Sequence, residues 1–289
     1  MEEPLINDVS DTAFWVAHYR AQESARADAL FRDPFAGRLA SERGARIAAG
    51  MPAARMTAWL IAMRTVIIDD IILAAVRTGA DCVLNLGAGL DARPYRLELP
   101  ASLQWIEADY ARVVEYKQEN LAAAKPRCKL DRVKIDLAEP SARKAFLADV
   151  NARFGNILVL TEGVVPYLGV EEAGELAGDL RANANMRHWL LDYFSKEAMK
   201  FRKRTRMNEK MRNAPFKFDP DDWFAFFRGH GWEAETIRYL TDEGDRRGRA
   251  PPFPLPARIV FRILSMLAPP ERRLEMRRFS AYVLLRPAS

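Results

Sequence analysis

With two cysteines in 289 residues, Cys82 inside an apolar run and Cys128 in a basic loop, the chain has no disulfide framework and no cysteine-rich metal centre. A reducing, cytoplasmic setting is the simplest expectation. Histidine is nearly as scarce, at three copies (His18, His188 and His230), so a histidine base has few candidates. Long apolar runs are missing too. No window approaches 18 uncharged apolar residues, and the acidic start MEEPLINDVSD lacks the basic opening and apolar core of a secretion signal. A soluble protein without stable membrane insertion is predicted.

Core-forming material is plentiful: 49% of residues are hydrophobic and 29% charged, enough for one large core or a main core with a helical subdomain. The net charge is +5 and the pI about 9.2, a balance that can signal nucleic acid. Most of the basic excess, however, lies in C-terminal blocks, KFRKRTRMNEKMR (200–212) and DRRGR followed by ERRLEMRR. No helix-turn-helix, RNA-binding strand signature or zinc module accompanies them, so solvated helical faces are expected and a nucleic-acid partner is not.

Residues 8–78 read as helices: TAFWVAHYRAQES, LFRDPFAGRLASERG and ARMTAWLIAMRTVIIDDIILAAVRTG. In the last, Trp59, Met63, Val66, Ile67, Asp70 and Ile71 recur at three-and-four spacing, and Gly79 is a natural stop. The rhythm then changes. Apolar runs at 82–87, 103–109, 131–137, 156–163 and 188–194 alternate with helix-length segments, as parallel strands with crossover helices do. Two later runs, 232–240 and 280–287, lack that rhythm and can pair antiparallel at one edge. The fold class predicted is α/β, a doubly wound, seven-stranded, mostly parallel sheet. In FDPDDWFAFFRGHG, Asp219 is the expected N-cap with Pro220 in the first turn. An N-terminal helical cap (1–78) precedes the main domain (79–289), with helical cover segments at about 195–218 and 241–278. The Pro-rich APPFPLP (250–256) reads as a loop.

The first strand runs into NLGAGLDAR, at the sheet end where open parallel sheets bind ligands. Gly87 and Gly89 let the chain bend sharply and bring backbone N–H groups against a ligand. Gly87-Ala88-Gly89-Leu90-Asp91-Ala92 even fits a loose dinucleotide pattern. Two residues argue against it. Asp91 sets a carboxylate near any pyrophosphate, and Pro94 interrupts the helix that should start right after the glycines. A nucleoside with a cationic tail, such as S-adenosylmethionine, has no such objection to Asp91.

The other strand ends supply matching groups. Asp109, about 20 residues past the glycines, can accept bonds from ribose hydroxyls. Asp136 and Leu137 offer an acceptor and an apolar wall for adenine, and Glu162 puts a carboxylate near an amino end or the transfer site. Asp109 and Asp136 could equally cap the helices that follow them.

NLGAGLDARPYRL, WIEADYARVVEYKQENL and LTEGVVPYLGVEE, in this order and spacing, resemble the leucine carboxyl methyltransferase family and its bacterial relatives, a class I S-adenosylmethionine-dependent group. RAQESARADALFRDPFAGRLA and MRTVIIDD resemble its helical N-terminal region, so the match spans roughly residues 10–195. The resemblance implies that Arg64 pairs with the cofactor carboxylate. It implies that Gly87, Ala88 and Gly89 line the tail, that Asp109 binds ribose, that Asp136 and Leu137 hold adenine, and that Glu162 meets the amino end. Arg20 matches another recurrent position reaching cofactor or substrate.

Methyl transfer from a sulfonium is an in-line displacement, so positioning supplies much of the catalysis. A carboxylate acceptor needs no base, whereas a hydroxyl does. Tyr167, matching a family aromatic, and His18, on the helix expected to cover the cofactor, are the candidate catalytic residues. His188 and His230 read as structural. Within 195–218, Phe201, Met207, Met211 and Phe216 could face a lipophilic acceptor, as could ARIVFRILSMLA (257–268); both segments could equally be subdomain core, and the second a membrane-surface helix. The expected activity is O-methylation of a small, partly apolar hydroxyl or carboxyl acceptor, lipophilic or polyketide-like, without a metal. The rivals are an NAD(P)-dependent oxidoreductase and a non-catalytic binding protein of the same fold.

Overall fold

The computed structural model describes residues 5–203, 206–253 and 269–288. Three helices open the chain: α1 (Asp11–Ser24), α2 (Ala36–Gly50) and α3 (Ala54–Arg77). Helix α2 starts at Ala36, not at Leu30, because Pro34 disfavours helical backbone at the residue before it and leaves 25–35 to turns. Helix α3 stops just before Gly79, whose φ of 103° suits glycine alone.

Strands β1 (Cys82–Leu86), β2 (Gln104–Asp109), β3 (Lys129–Lys134), β4 (Ile157–Thr161) and β5 (Met186–Phe194) are parallel. Between them run α4 (Arg93–Arg96), α5 (Ala111–Asn120), α6 (Pro140–Arg153) and α7 (Val170–Arg181). After β5 come α8 (Lys196–Lys203), α9 (Arg206–Lys210), α10 (Trp223–Gly229), β6 (Trp232–Tyr239), α11 (Leu240–Arg246), α12 (Pro270–Arg277) and β7 (Ser280–Pro287). The seven strands form one sheet in the order β3-β2-β1-β4-β5-β7-β6. The predicted antiparallel pair exists, with β7 inserted between β5 and β6.

Alternate strand residues build the two faces, as the pleat requires. Leu84, Val159 and Trp189 pack on one face with Leu147 of α6, Ala177 of α7 and Phe227 of α10. Val83, Leu158 and Leu190 pack on the other with Ile67, Ile68, Ile71 and Ile72 of α3. Helices lie on both faces, so the doubly wound expectation holds. A third cluster joins Trp15 and Tyr19 of α1, Ile47 of α2 and Ile61 of α3 to Met211 and Ala214.

Two boundaries differ from expectation. Strand β3 runs 129–134, not 131–137: its ladder ends where β2 ends, at Asp109 opposite Lys134, so Asp136 and Leu137 fall in the following loop. Helix α10 is capped by Asp222, whose carboxylate accepts from the Ala225 N–H at 2.9 Å. Asp219 precedes Pro220 and stays outside the helix, where it pairs with Lys203. The segment 257–268 lies outside the described residues, as does much of the second cover segment.

Candidate active site at the strand ends

Between β1 and β4 the strand order reverses, and there one cavity of about 520 Å³ opens over the carboxyl ends of the parallel strands. That volume lies within the range of small-molecule sites, roughly 300–1,000 Å³. The glycine turn forms its floor. Gly87 and Gly89 both have positive φ, 67° and 49°, and a Cβ on Gly87 would stand 2.5 Å from Val164 Cγ2, so the close approach of the two loops needs glycine there.

The N–H groups of this turn do not point at a ligand, contrary to the sequence reading. Gly87 and Ala88 donate to the Ala108 carbonyl at 2.8 and 3.4 Å, and Gly89 donates to Asp109 Oδ2 at 2.7 Å. A pyrophosphate would therefore find the usual anion-binding donors already engaged. Pro94 sits in the first turn of the four-residue helix α4, so no extended helix aims its N-terminus at the turn. Asp91 is likewise spent internally, bonded to Asn85 and Arg93.

Beneath the turn lies a buried ionic network. Arg93, 2% exposed, contacts Asp69 at 2.6 Å, Asp91 at 2.9 Å and Glu162 at 2.5 Å. Arg96 clasps Asp69 with two bonds of 2.7 Å. Arg20 pairs with Asp33 at 2.9 Å and donates to the Leu90 carbonyl at 2.5 Å, which anchors the glycine turn to α1. Arg64 of α3 reaches Glu162 through its Nε. Burial alone would raise the Glu162 carboxyl, but Arg64 and Arg93 outweigh it and hold the group below its ordinary range. Asp91 is lowered in the same way, chiefly by Arg93 against burial.

Asp109 differs. Burial lifts its carboxyl above the ordinary value despite the N–H groups of Gly89 and Tyr110. It does not cap α5, whose N-cap is Tyr110, and it lines the cavity. Leu137 lines the cavity beside Ile135, whereas Asp136 is exposed, accepts from the Ala138 N–H and meets the Tyr110 hydroxyl.

Toward its outer end the cavity becomes apolar. Tyr167, Phe194, Phe216, Met207 and Met211 line it, with Tyr167 edge-on to Phe216 at 5.0 Å. Burial raises the Tyr167 hydroxyl, which bonds to Thr12 of α1. Arg202 of α8 stands 3.6 Å over the Phe216 ring and 2.8 Å from Met211 Sδ. Phe201 is turned away, 64% exposed, and packs on Phe279. No histidine lines the cavity. His18 bonds to Gln22 on an exposed part of α1, and His230 packs on Phe226.

The structure thus brings together Arg64, Gly87, Ala88, Gly89, Asp109, Leu137, Glu162 and Tyr167, and leaves His18 and Asp136 outside the cavity wall. Sequence reading missed Arg93, Asp69, Asp192 and Tyr282. Asp192 had a signal, as the one acidic residue in the apolar stretch Trp189–Phe194 at a strand's carboxyl end. Arg93 had none, because its three partners are scattered from 69 to 162.

The sequence model for leucine carboxyl methyltransferase matches residues 13–180, more than half the chain. The chain belongs to the leucine carboxyl methyltransferase family. Relatives described as candidate S-adenosyl-L-methionine-dependent methyltransferases include one from Mycobacterium avium, 32% identical over 281 residues, covering 84% of this chain and 85% of that one. Another, from Parafrankia sp., is 36% identical over 253 residues, covering 82% and 77%. The alignment to a Mycobacteroides abscessus relative, 36% identical over 195 residues, spans 61% of this chain and 62% of that protein. Among solved structures, a candidate methyltransferase from Thermobifida fusca superposes with a TM-score of 0.55 at 12% identity, covering 99% and 96% of the two chains. A DUF574 family protein from Streptomyces avermitilis gives 0.51 at 14%, covering 94% and 96%. These two establish the fold shared by this leucine carboxyl methyltransferase family member. The chain is an S-adenosylmethionine-dependent methyltransferase. Among the described residues, no group of ligating side chains could hold a metal ion, and no helix is long and apolar enough to cross a membrane.

Proposed function

We propose that the enzyme O-methylates a small, partly apolar acceptor. The observation that carries this is the two-ended cavity. One end offers a guanidinium and a carboxylate, the glycine turn and a second carboxylate; the other offers an aromatic and methionine wall. When bound, S-adenosylmethionine supplies an electrophilic methyl on a sulfonium. The residues present fit it: its tail carries a carboxylate and an ammonium, and Arg64 and Glu162 already face each other as that tail would require.

In this reading Arg64 holds the tail carboxylate and Glu162 the ammonium, each exchanging its partner for the ligand. Arg93 keeps Glu162 charged and fixed throughout. Asp109 accepts from the ribose hydroxyls, and Ile135 and Leu137 cover the adenine face. Asp136 braces the loop through Ala138 and Tyr110. Tyr167, Phe194, Phe216, Met207 and Met211 exclude water from the transfer zone and take the acceptor's apolar body. His18 is assigned no contact with either substrate.

The dinucleotide reading fails on the engaged N–H groups of residues 87–89. Titration calorimetry tests the proposal: S-adenosylmethionine and S-adenosylhomocysteine should bind and NAD should not. Clear NAD binding with no heat from either adenosyl ligand would sink it. Mass spectrometry of lysate metabolites gaining a label from methyl-labelled cofactor then identifies the acceptor.

A further inference from the structure

Asp192 lies near the carboxyl end of β5, next to the Thr161-Glu162-Gly163 turn, and lines the same cavity while being 3% exposed. Its two oxygens have neutral donors. Oδ2 accepts from the Gly163 N–H at 2.7 Å, and Oδ1 accepts from the Tyr282 hydroxyl of β7 at 3.2 Å. Glu162, one turn away, is held by two guanidinium groups instead.

The groups facing Asp192 come from every element around it: Arg64 on α3, Glu162 and Gly163 after β4, Tyr167 in the turn that follows, and Tyr282 on β7. Tyr282 cannot itself serve as a base, since burial and Asp192 push its hydroxyl well above the ordinary value. A carboxylate acceptor entering here would meet two like charges, Asp192 and Glu162, in a poorly solvated space. A hydroxyl acceptor would meet a carboxylate able to receive its proton.

We propose that Asp192, hydrogen-bonded by Tyr282, is the proton acceptor for a hydroxyl-bearing substrate, so that the product is a methyl ether and not a methyl ester. This rests on the methyltransferase reading above. The acceptor oxygen forms the new bond to the methyl carbon while the carbon–sulfur bond breaks with its electron pair kept by sulfur. The acceptor proton passes to Asp192, so cation, carboxylate and alcohol become neutral thioether, carboxylic acid and ether. Asp192 then loses the proton to solvent. Burial, which lifts this carboxyl above its ordinary value, favours its accepting a proton from the substrate hydroxyl.

The test is calorimetry of the full chain with S-adenosylmethionine and S-adenosylhomocysteine, in buffers of different ionisation enthalpy, over pH 5 to 8. If Asp192 faces the reacting centre, the cationic ligand favours its ionised form, so whatever proton Asp192 carries in the free protein is released on binding, up to one per site. Asp192→Asn should abolish that release, while S-adenosylhomocysteine binding changes less than about threefold. Tyr282→Phe, which removes a donor that favours the carboxylate, should move the release to higher pH. Identical proton counts for wild type and Asp192→Asn overturn the proposal; should that variant not fold, an unmoved window in Tyr282→Phe overturns it. A labelled lysate product that frees methanol in base also overturns it, being an ester. Failure of wild type to bind either ligand would overturn the methyltransferase reading instead.

Discussion

The two ends of the cavity are built in opposite ways. At the strand ends, charge is buried and held: Arg93, Arg64, Asp69, Asp91 and Glu162 are bonded to one another from three separate stretches of chain. At the outer end, the walls come from the turn after β4 (Tyr167), the last residue of β5 (Phe194) and the segment that follows it, and their contacts are rings, a thioether and the Arg202 guanidinium. A preorganised ionic frame fixes one ligand in one pose, because each group's geometry is set before the ligand arrives. An aromatic and methionine wall adapts, since methionine fills irregular gaps with little penalty. On the function proposed above, the rigid end takes the methyl donor and the adaptable end the acceptor.

Breaking the frame should have the largest effect. Arg93→Met leaves three buried carboxylates without their shared cation and should lower unfolding free energy by about 3–5 kcal/mol, measured by urea denaturation. Next, Arg64→Ala should weaken S-adenosylmethionine binding roughly 10- to 100-fold with the fold retained, because Glu162 keeps Arg93. Unchanged affinity in calorimetry would remove Arg64 from the tail site.

Acid should dismantle the same end. Glu162 and Asp91 have folded values below their ordinary ones, 4.5 and 3.8, so the unfolded chain binds protons first. The stabilisation they bring is complete above about pH 4.5 and is lost as pH falls below it through the folded values. Thermal melts in Glu162→Gln should show a shallower acid limb than wild type.

The outer end should respond through the acceptor alone. Phe216→Ala should reduce methylation of the acceptor several-fold, leave cofactor affinity within about threefold, and lower stability by about 1–2 kcal/mol, the ring being only partly buried. Smallest of all, Phe201→Ser, on a side chain facing away from the cavity, should change stability by less than about 0.5 kcal/mol and leave cofactor binding intact. A strong acceptor effect there would extend the apolar wall outward.

Legibility followed burial. Strands β1 and β4 are buried along their whole length, so CVLNL and ILVLT read as apolar runs and were placed to within two residues. The edge strand β3 is half exposed, its pattern KLDRVK carries no such run, and its end was misplaced by three residues. The helix cap at Asp222 was misread because three aspartates, Asp219, Asp221 and Asp222, lie around Pro220, and only the backbone geometry chooses among them. Asp109 and Glu162 were found because strand ends are fixed points of the fold. Arg93 was not, because DARPYR reads as a polar turn until the fold brings Asp69 and Glu162 around it. The position of β7 within the sheet was also beyond the sequence, since antiparallel pairs do not announce their order.

That order has a consequence for biosynthesis. Residues 280–287 leave the ribosome after every other strand, yet they pair with β5 on one side and β6 on the other. Until they emerge, a nascent chain carries five parallel strands with β5 as an open edge, and β6 has no neighbour. An open edge of this kind invites pairing with other chains. Tyr282 also arrives on this strand, so the cavity wall next to Asp192 is completed only once β7 has emerged. The cavity at the strand ends is complete only after the sheet has been closed from within.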